Sequence, residues 1–502
     1  MFRLLLTAMV SVLVESESAK ILGVFPMPSI SHQVVFRPLM QELAKRGHEV
    51  TVITTDPAFP KGQAPENLTE IDLHDFSYEY WNDFLAVHGK EPDQIVLIKR
   101  ISHALVNILE KQLKSNEVQK FIQNNKNIDL LFVESGIQPA LIFSDIYKVP
   151  VIEFSSLGGL SSTFAMIGAT THPLIYPDLM RRRIYNLTLW EKIENLYTHY
   201  SMERLLEQYT SNSKLLKTVF GPDVPSMRVL RKNVHMIFLN VHPIWDFNRP
   251  VPPNVIYLGG LHQKPVRDLP EDLKTYLDSS KHGVIYISFG TNVKPSFLPR
   301  DKLKIFTDVF SQLPYDVLWK WDNEELPGRP SNVKILKWLP QSDLLRHPNI
   351  KLFITQGGLQ STDEAITAAV PLVGIPMLGD QWFNVEHYVR FKIGKKLLLD
   401  NLTEDQLLNA IKSVIEEKCY RQNIIKLRNI MQDQPQKPLD RAVWWTEHIL
   451  RRGGGEHLRT PAAHMHWTEY YEVDLLIVLL GTVLLVVPVT ILVYSIYKYI
   501  YF

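Results

Sequence analysis

The sequence predicts an α/β protein of two domains that face each other across a cleft, followed by a membrane-spanning helix. Two series of alternating strands and helices, one opening near Lys20 and the other near Gly283, flank a Pro-rich segment from Asn240 to Pro253. Such alternation is typical of parallel sheets, and a Pro-rich stretch is typical of a linker. The run from Leu475 to Tyr497 has no charged residue and is long enough to cross a bilayer.

Composition narrows the class of protein. A length of 502 residues fits two or three domains. Because the number of Lys and Arg residues (54) nearly equals that of Asp and Glu (53), the protein has no large net positive charge that would attract it to nucleic acid. The sequence has no zinc-ligand spacing, HExxH, P-loop or internal repeat. Its one cysteine, Cys419, excludes an intramolecular disulfide and a Cys-rich metal cluster.

The first domain is expected to open with a strand, a loop, a helix and a second strand, and to continue with strand, helix and strand. The predicted bounds are Ile21–Phe25, a loop through His32, a helix to Lys45, Glu49–Ile53, Asp129–Val133, Pro139–Tyr147 and Val149–Phe154. Two segments rich in aromatic and apolar residues, 56–125 and 157–220, interrupt this series. They are either the wall of a pocket for a small apolar molecule or plain helical packing.

The second domain repeats the pattern. The predicted elements are strand Gly283–Phe289, turn Gly290–Asn292, helix Arg300–Gln312, strand Asp316–Trp321, strand Leu352–Ile354, helix Leu359–Ala369 and strand Leu372–Ile375. A last helix is expected after Pro435, in the segment KPLDRAVWWTEHILRR. Two such domains joined by a linker form a cleft, which is a preferred ligand site.

The Gly357-Gly358 turn predicts an anion site. It lies between a strand and a helix, where bare backbone N–H groups at the positive end of the helix dipole can hold a phosphate. Glu364, one turn further on, can bond a ribose hydroxyl, and Asp380-Gln381 follow the next strand, at the carboxyl edge where open sheets bind ligands. A lone Gly-Gly turn also occurs in ordinary α/β units.

The segment from Phe353 to Gln381 resembles the signature of the UDP-glycosyltransferase family, at the hydrophobic pair and at Thr355, Gln356, Gly358, Ser361, Glu364, Pro371, Pro376, Asp380 and Gln381. The resemblance covers nearly the whole chain, and FITQGGLQSTDEAI and LDRAVWW are similar to insect members. It implies a GT-B fold, in which two Rossmann-like domains face a cleft. It also implies transfer of a hexose from a UDP-sugar to a hydroxyl of a small lipophilic acceptor, as in detoxification or hormone or pigment conjugation.

The same resemblance leaves the donor open between UDP-glucose, expected for an insect-like member, and UDP-glucuronate, used by vertebrate relatives. It implies no metal or other cofactor, since the UDP-sugar is a co-substrate. The alternative from a different class is a catalytically silent, membrane-anchored binding protein, in which Glu134 and Gln356 would reflect the loss of catalytic residues. An epimerase or dehydrogenase would need GxGxxG after the first strand, and Pro26-Met27-Pro28-Ser29 is incompatible with it.

Transfer to a hydroxyl needs a base. The family's Ser-His pattern, here Ser31-His32, implies that His32 is that base. A carboxylate normally orients such a histidine; the family uses Asp where this chain has Glu134, which keeps the charge with one more methylene. Glu134 forms this dyad or merely caps the following helix, and Asp129, at the strand's other end, is the weaker substitute.

The resemblance also assigns the donor site. Gln356 stands where many members have a His that contacts the diphosphate, and it can donate a hydrogen bond but cannot become cationic. Trp338 is expected to stack on uracil and Gln341 to reach the base or ribose. The remaining donor contacts are Thr291, Gly358 and Gln360 for phosphate, Glu364 for ribose, and Asp380 and Gln381 for the sugar hydroxyls. Ser361, a residue of the signature, is a donor-site residue without a more specific role.

The termini predict a membrane protein. The apolar run from Leu4 to Val14 is too short to span a bilayer and fits a signal peptide. The expected order is signal peptide 1–19, acceptor domain 20–245, UDP-sugar domain 246–435, return helix and stalk 436–473, membrane helix 474–497 and cytosolic tail 498–502. This order places the body of the protein in the lumen, and the family resemblance implies that the lumen is that of the endoplasmic reticulum. Asn67, Asn186 and Asn401 are then expected to be glycan acceptors. Whether the chain is a homo-oligomer stays open.

Overall fold

The computed structural model describes residues 18–88, 94–210 and 214–501. Most of the predicted signal peptide lies outside these residues. The first sheet has seven parallel strands in the order β3-β2-β1-β4-β5-β6-β7. They are β1 (Lys20–Phe25), β2 (Glu49–Thr54), β3 (Leu68–Asp72), β4 (Leu130–Glu134), β5 (Val151–Ser155), β6 (Val234–Leu239) and β7 (Val255–Tyr257).

The second sheet has six parallel strands in the order β10-β9-β8-β11-β12-β13. They are β8 (Val284–Ser288), β9 (Asp316–Lys320), β10 (Val333–Leu336), β11 (Ile350–Thr355), β12 (Leu372–Gly374) and β13 (Gly394–Lys396). The predicted fold class, two parallel sheets of Rossmann type, is confirmed.

Helices cover both faces of each sheet, so the central strands are continuous apolar runs instead of alternating ones. All five residues of β4 and of β8 are buried. In the first domain the helices are α1 (Ile30–Lys45), α2 (His74–His88), α3 (Gln94–Lys114), α4 (Asn116–Asn124), α5 (Ile142–Tyr147), α6 (Ser161–Met166), α7 (Leu189–Thr210), α8 (Lys214–Phe220) and α9 (Met227–Arg231).

The second domain contributes α10 (Glu271–Ser279), α11 (Arg300–Ser311), α12 (Gln341–Leu345), α13 (Leu359–Ala368), α14 (Gln381–Arg390), α15 (Glu404–Glu416) and α16 (Lys418–Gln432). The chain ends with α17 (Pro438–Arg452), α18 (Trp467–Tyr470) and α19 (Val473–Tyr501). Helix α17 returns to the first domain, where Ala442, Val443 and Ile449 are buried in one cluster with Phe36 and Leu39 of α1.

His32 lies on a helix, and its predicted position in a loop is wrong. Pro26 and Pro28 end the strand, Ser29 is the extended N-cap residue (φ −153°, ψ 111°), and α1 starts at Ile30. His32 therefore sits in the first turn of α1, where the helical backbone holds its side chain at a defined angle to the sheet.

The Pro-rich segment, expected from the sequence to link the domains, lies between β6 and β7 of the first sheet. It contains a 3₁₀ helix, Pro243–Asp246, and it is followed by β7, which pairs with β6 in the first sheet. The first sheet thus continues past residue 245, where the sequence places the boundary between the domains.

Helix α19 matches the expected membrane segment. Its 29 residues include an 18-residue window of mean hydropathy 3.0 with none of its surface buried. At 1.5 Å per residue the helix is roughly 44 Å long, which exceeds the roughly 30 Å of a hydrocarbon core. By length and composition α19 can cross a membrane.

Candidate active site

In each sheet the chain adds strands first toward one edge and then, from the centre, toward the other. Strand order reverses between β1 and β4 in the first sheet and between β8 and β11 in the second. In open α/β sheets, ligands bind at the carboxyl ends of the strands that flank such a point. His32 follows β1 and Glu134 ends β4, while Gly290 follows β8 and Gln356 follows β11. The topology therefore gathers the predicted residues at the two switch points.

The two carboxyl edges face each other. Asn292 of the second domain donates from Nδ2 to Ser29 Oγ of the first at 3.3 Å. Gln360 donates from Nε2 to the backbone oxygen of Ser156 at 3.0 Å. These hydrogen bonds cross from one domain to the other, so the switch points form the two walls of one cleft.

Glu134 contacts His32 directly. Its Oε1 lies 2.7 Å from His32 Nδ1, and its Oε2 accepts the Met27 N–H at 3.1 Å. The following 3₁₀ helix, Gln138–Leu141, has no side-chain N-cap, so the carboxylate does not cap it. Asp129 accepts the Lys20 N–H at the opposite end of the strand. Of the two acids, the structure brings Glu134 to the histidine.

This contact defines the tautomer of His32. A carboxylate only accepts, so Nδ1 carries the proton and Nε2 keeps its lone pair. In the part of the chain that the structure describes, no group hydrogen-bonds Nε2, and the His32 side chain is 22% exposed. The arrangement leaves a basic nitrogen at the cleft with a buried carboxylate behind it.

Sequence reasoning missed Ser156. Its Oγ lies 3.0 Å from His32 Nδ1, beside Glu134. Ser156 directly follows β5, the neighbour of β4 in the sheet. Since carboxyl ends of adjacent parallel strands meet at one edge, the hydroxyl residue after this strand was a recognisable signal.

The glycine turn before α13 has the geometry of an anion site. Gly357 has φ +93°, and a Cβ there would lie 2.5 Å from Val385 Cγ2. Gly358 is the N-cap residue of α13 and carries no side chain to cap the first N–H groups. These N–H groups are therefore free to bind an anion at the positive end of the helix.

Gln341, Ser361 and Glu364 form one hydrogen-bonded group. Gln341 donates from Nε2 to Ser361 Oγ at 2.9 Å and to Glu364 Oε2 at 2.7 Å. Its Oε1 accepts the Tyr286 hydroxyl at 3.0 Å. Burial raises the pKa of Glu364, and the hydrogen bond from Gln341 opposes that rise. The structure thus joins three of the residues assigned to the UDP-sugar, two of them (Gln341 and Glu364) to the nucleoside.

Trp338 and Thr291 lie at the surface of the cleft. The Trp338 side chain is 68% exposed, and Lys320 Nζ lies 4.5 Å from the centre of its ring. Thr291 is exposed in the turn after β8. Gln356 is buried against that turn, because a Cβ on Gly290 would lie only 2.1 Å from Gln356 Nε2. Its Oε1 has no hydrogen-bond partner in the described chain.

Asp380 and Gln381 differ in how much of each remains for a ligand. Asp380 Oδ2 accepts from Asn384 Nδ2 at 2.7 Å. Burial raises the pKa of the Asp380 carboxyl to about 6, and the Asn384 hydrogen bond and the electrostatic effect of His32 across the cleft oppose that rise. Gln381 Oε1 accepts the N–H groups of Met377 and Leu378 at 2.8 and 2.7 Å. The side-chain oxygen of Gln381 therefore holds the preceding loop, and only its Nε2 remains to bind a ligand.

A small cavity of about 20 Å³ lies beside Asp380. The second domain lines it with Leu359, Phe383 and Asn384. The first domain lines it with residues of the 157–220 segment and of the Pro-rich segment: Leu157, Gly158, Gly159, Pro177, Leu179, Val241, Trp245 and Asp246. The lining is mostly apolar and is contributed by both domains.

The family described as "UDP-glucoronosyl and UDP-glucosyl transferase" matches residues 19–502. The chain is 36% identical to the ecdysteroid UDP-glucosyltransferase of Spodoptera littoralis nuclear polyhedrosis virus, over 96% of this chain and 97% of that one. It is 31% identical to UDP-glucosyltransferase 2 of Dactylopius coccus, over 96% and 94% of the two chains.

Solved structures share the fold. The structure of UDP-glucose: anthocyanidin 3-O-glucosyltransferase in complex with UDP superposes with a TM-score of 0.59 at 16% identity, covering 87% of this chain and all of that one. The glycosyltransferase neighbours confirm the predicted GT-B architecture.

Proposed function

Because the chain belongs to the UDP-glucoronosyl and UDP-glucosyl transferase family, we propose that it transfers glucose from UDP-glucose to a hydroxyl of a small lipophilic acceptor. The family and the relatives make the chain a UDP-glycosyltransferase. Glucose as the sugar, the acceptor class and the residue roles below are the content of the proposal, and UDP-glucuronate is the alternative donor.

The contact between His32 and Glu134 carries the proposal. His32 Nε2 takes the proton of the acceptor hydroxyl, and the oxygen attacks C1 of the sugar from the face opposite UDP. The bond from C1 to the diphosphate oxygen breaks, UDP leaves with its electron pair, and the configuration at C1 inverts. Glu134, 2.7 Å from Nδ1, stabilises the imidazolium that forms. A catalytically silent protein would have no need of this buried pair.

The departing diphosphate is bound by the N-terminus of α13. Gly358 leaves the first N–H groups of the helix free, and Thr291, Gln356 and Gln360 supply further hydrogen-bond donors around them. Preorganised donors at the place where charge develops lower the barrier to transfer. We expect no metal requirement for this step, and a turnover assay with and without a chelator tests that.

The nucleoside and the sugar take separate parts of the site. The group formed by Gln341, Ser361 and Glu364 binds uridine, with Glu364 on the ribose hydroxyls and Trp338 stacked on uracil. Asp380 and Gln381 bind the sugar hydroxyls. The position of Asp380 supports this role, because it lies both on the cavity wall and within electrostatic reach of His32.

The membrane arrangement belongs to the same proposal. Helix α19 crosses the endoplasmic reticulum membrane once, as a type I anchor after a cleaved signal peptide, and the catalytic body lies in the lumen. Asn67, Asn186 and Asn401, each at the start of an Asn-Leu-Thr triplet, are all exposed. That exposure is what lumenal glycan attachment requires, and enzymatic deglycosylation followed by a mass measurement tests each site.

One experiment tests the function. The full chain in detergent is incubated with UDP-glucose or UDP-glucuronate and a panel of phenols that also includes an ecdysteroid, chosen because several relatives are named for it. UDP release and product mass are measured, with His32→Ala as the control. We expect turnover with UDP-glucose that depends on His32. UDP binding without turnover on any acceptor would favour the silent binding protein, and turnover with UDP-glucuronate alone would overturn the choice of glucose.

A further inference from the structure

Asn384 joins three parts of the molecule through one buried amide. It lies in the first turn of α14 and is 2% exposed. Its Oδ1 accepts from Trp245 Nε1 at 2.9 Å. Its Nδ2 donates to Asp380 Oδ2 at 2.7 Å and to the Gly357 carbonyl at 2.9 Å. The acid beside the cavity and the glycine turn before α13 are thus held by the same NH₂ group.

Trp245 comes from outside the second domain. It belongs to the 3₁₀ helix Pro243–Asp246 between β6 and β7, the last two strands of the first sheet. Its indole is 1% exposed and packs on α14, with ring centres 4.6 Å from His387 and 5.6 Å from Phe391. A side chain of the Pro-rich segment, which belongs to the first domain, is therefore buried against the donor domain.

The hydrogen bond from the indole agrees with the other two in the orientation that it requires of the amide. An indole N–H only donates, so Asn384 must turn its oxygen to Trp245 and its NH₂ group to Asp380 and Gly357. The reversed amide would place two donors face to face at Trp245 and an oxygen against both the Asp380 carboxylate and the Gly357 carbonyl. Trp245 is thus the partner that holds the amide from its oxygen side, while Asp380 and Gly357 hold it from its NH₂ side.

We propose that Trp245 is a positioning residue for the donor sugar: it fixes the Asn384 amide, and Asn384 in turn holds Asp380 and the Gly357 turn in their UDP-sugar-binding geometry. This inference rests on the proposed function, in which Asp380 binds the sugar hydroxyls. One consequence is that the donor site is complete only while the Pro-rich segment of the first domain is seated on α14. By linkage, UDP-sugar binding then stabilises that seating by the same free energy.

The charge of Asp380 supplies a readout that packing alone would not change. Burial raises the pKa of Asp380 to about 6, and the Asn384 hydrogen bond and His32 of α1 oppose that rise. Tyr388 of α14 also interacts electrostatically with this acid. When the NH₂ group is no longer directed at Asp380, its pKa rises, so the carboxyl becomes protonated at a higher pH. A neutral acid is a weaker acceptor for a sugar hydroxyl.

The test compares Trp245→Phe with Trp321→Phe in the full chain. Trp321 is also buried and donates a 2.9 Å hydrogen bond, to the Glu325 carbonyl, so its replacement removes the same chemical group away from Asn384. Binding of UDP and of UDP-glucose is measured by calorimetry between pH 5 and 8. We expect Trp245→Phe to weaken UDP-glucose binding about tenfold and UDP binding less. The pH at which UDP-glucose binding declines should also move up, while Trp321→Phe leaves both unchanged.

Equal UDP-glucose affinity and an equal pH profile for the two variants would overturn the inference. If Trp245→Phe does not fold, Asn384→Asp tests the same contacts, since it still accepts from Trp245 but sets a carboxylate against Asp380. Unchanged UDP-glucose binding in Asn384→Asp would then overturn it. The experiment measures binding, so its outcome does not depend on turnover. A wild-type chain that binds UDP-glucose without transferring it would contradict the proposed function, and the comparison of the variants would still test the role of Trp245.

Discussion

Glu134 Oε1 lies 2.7 Å from His32 Nδ1, although the two residues are 102 positions apart in the chain. Glu134 is 3% exposed and its other oxygen accepts the Met27 N–H. The extra methylene of Glu, relative to the Asp that the family resemblance implies here, is thus accommodated by anchoring the carboxylate to the backbone just before α1. The pair has the geometry of a general base with its orienting acid.

Replacing His32 with Ala should reduce transfer by about 10²–10⁴-fold, which is the usual contribution of a general base. UDP binding should stay close to wild type, because the imidazole acts on the acceptor. Steady-state kinetics together with UDP calorimetry measure both effects. Wild-type turnover in the variant would refute the assignment.

Glu134→Gln should lose at least about 10²-fold in turnover. In one orientation the NH₂ group of the amide faces another donor, the Met27 N–H. In the other it faces His32 Nδ1, where it either meets the Nδ1–H donor or forces the imidazole into the tautomer that lacks a lone pair at Nε2. Glu134→Asp keeps the charge and should retain more activity than Glu134→Gln.

The double variant His32→Ala/Glu134→Gln distinguishes a catalytic pair from a structural acid. Residues that act as a unit are non-additive, so the second change should cost little once His32 is gone. Thermal melts serve as the control for folding. Costs that multiply in the double variant would show that Glu134 acts independently of the histidine.

Ser156→Ala should lower kcat about fivefold with little change in the KM for either substrate. Its hydroxyl is a neutral partner of His32 Nδ1 at 3.0 Å, and a net hydrogen bond is worth about 1 kcal/mol. The effect should vanish in a His32→Ala background. An effect that persists there would mean that Ser156 acts on the loop after β5 instead of on the base.

Gly290→Ala should weaken UDP binding and destabilise the protein more than Gly47→Ala. Both glycines have positive φ (+78° and +93°), which costs a side chain about 1–2 kcal/mol. Only at Gly290 would the new Cβ also lie 2.1 Å from Gln356 Nε2, whereas nothing lies within 4 Å at Gly47. Calorimetry and melting curves compare them, and equal effects would show that Gln356 is free to move.

A chain that stops before Val473 should leave the membrane fraction in an alkaline wash. Helix α19 is the one candidate span in the described residues. Its side chains are exposed, so the truncated body loses no core packing and should keep its melting temperature. Membrane association that survives the truncation would reveal a second anchor.

The alternation of strands and helices and the glycine turn at Gly357 were predictable because their signals are local. A buried strand needs a run of apolar residues, and a tight turn with positive φ needs glycine, so each leaves its mark within a few positions. Helix α1 shows the limit of such signals. Pro26 and Pro28 end the strand but do not tell how soon a helix follows, and His32 was placed in a loop.

The partners of the site residues were decided by the tertiary structure. The family resemblance pointed to His32 and Glu134 separately, whereas their contact exists because β1 and β4 are neighbours in the sheet. Ser156 joins them because β5 is next to β4, and Trp245 reaches Asn384 because the Pro-rich segment of the first domain packs on α14. Sequence determined which segments form strands, helices and turns, since those depend on neighbouring residues. Which side chains meet depends on strand order and domain packing, and these bring together residues that no local pattern connects.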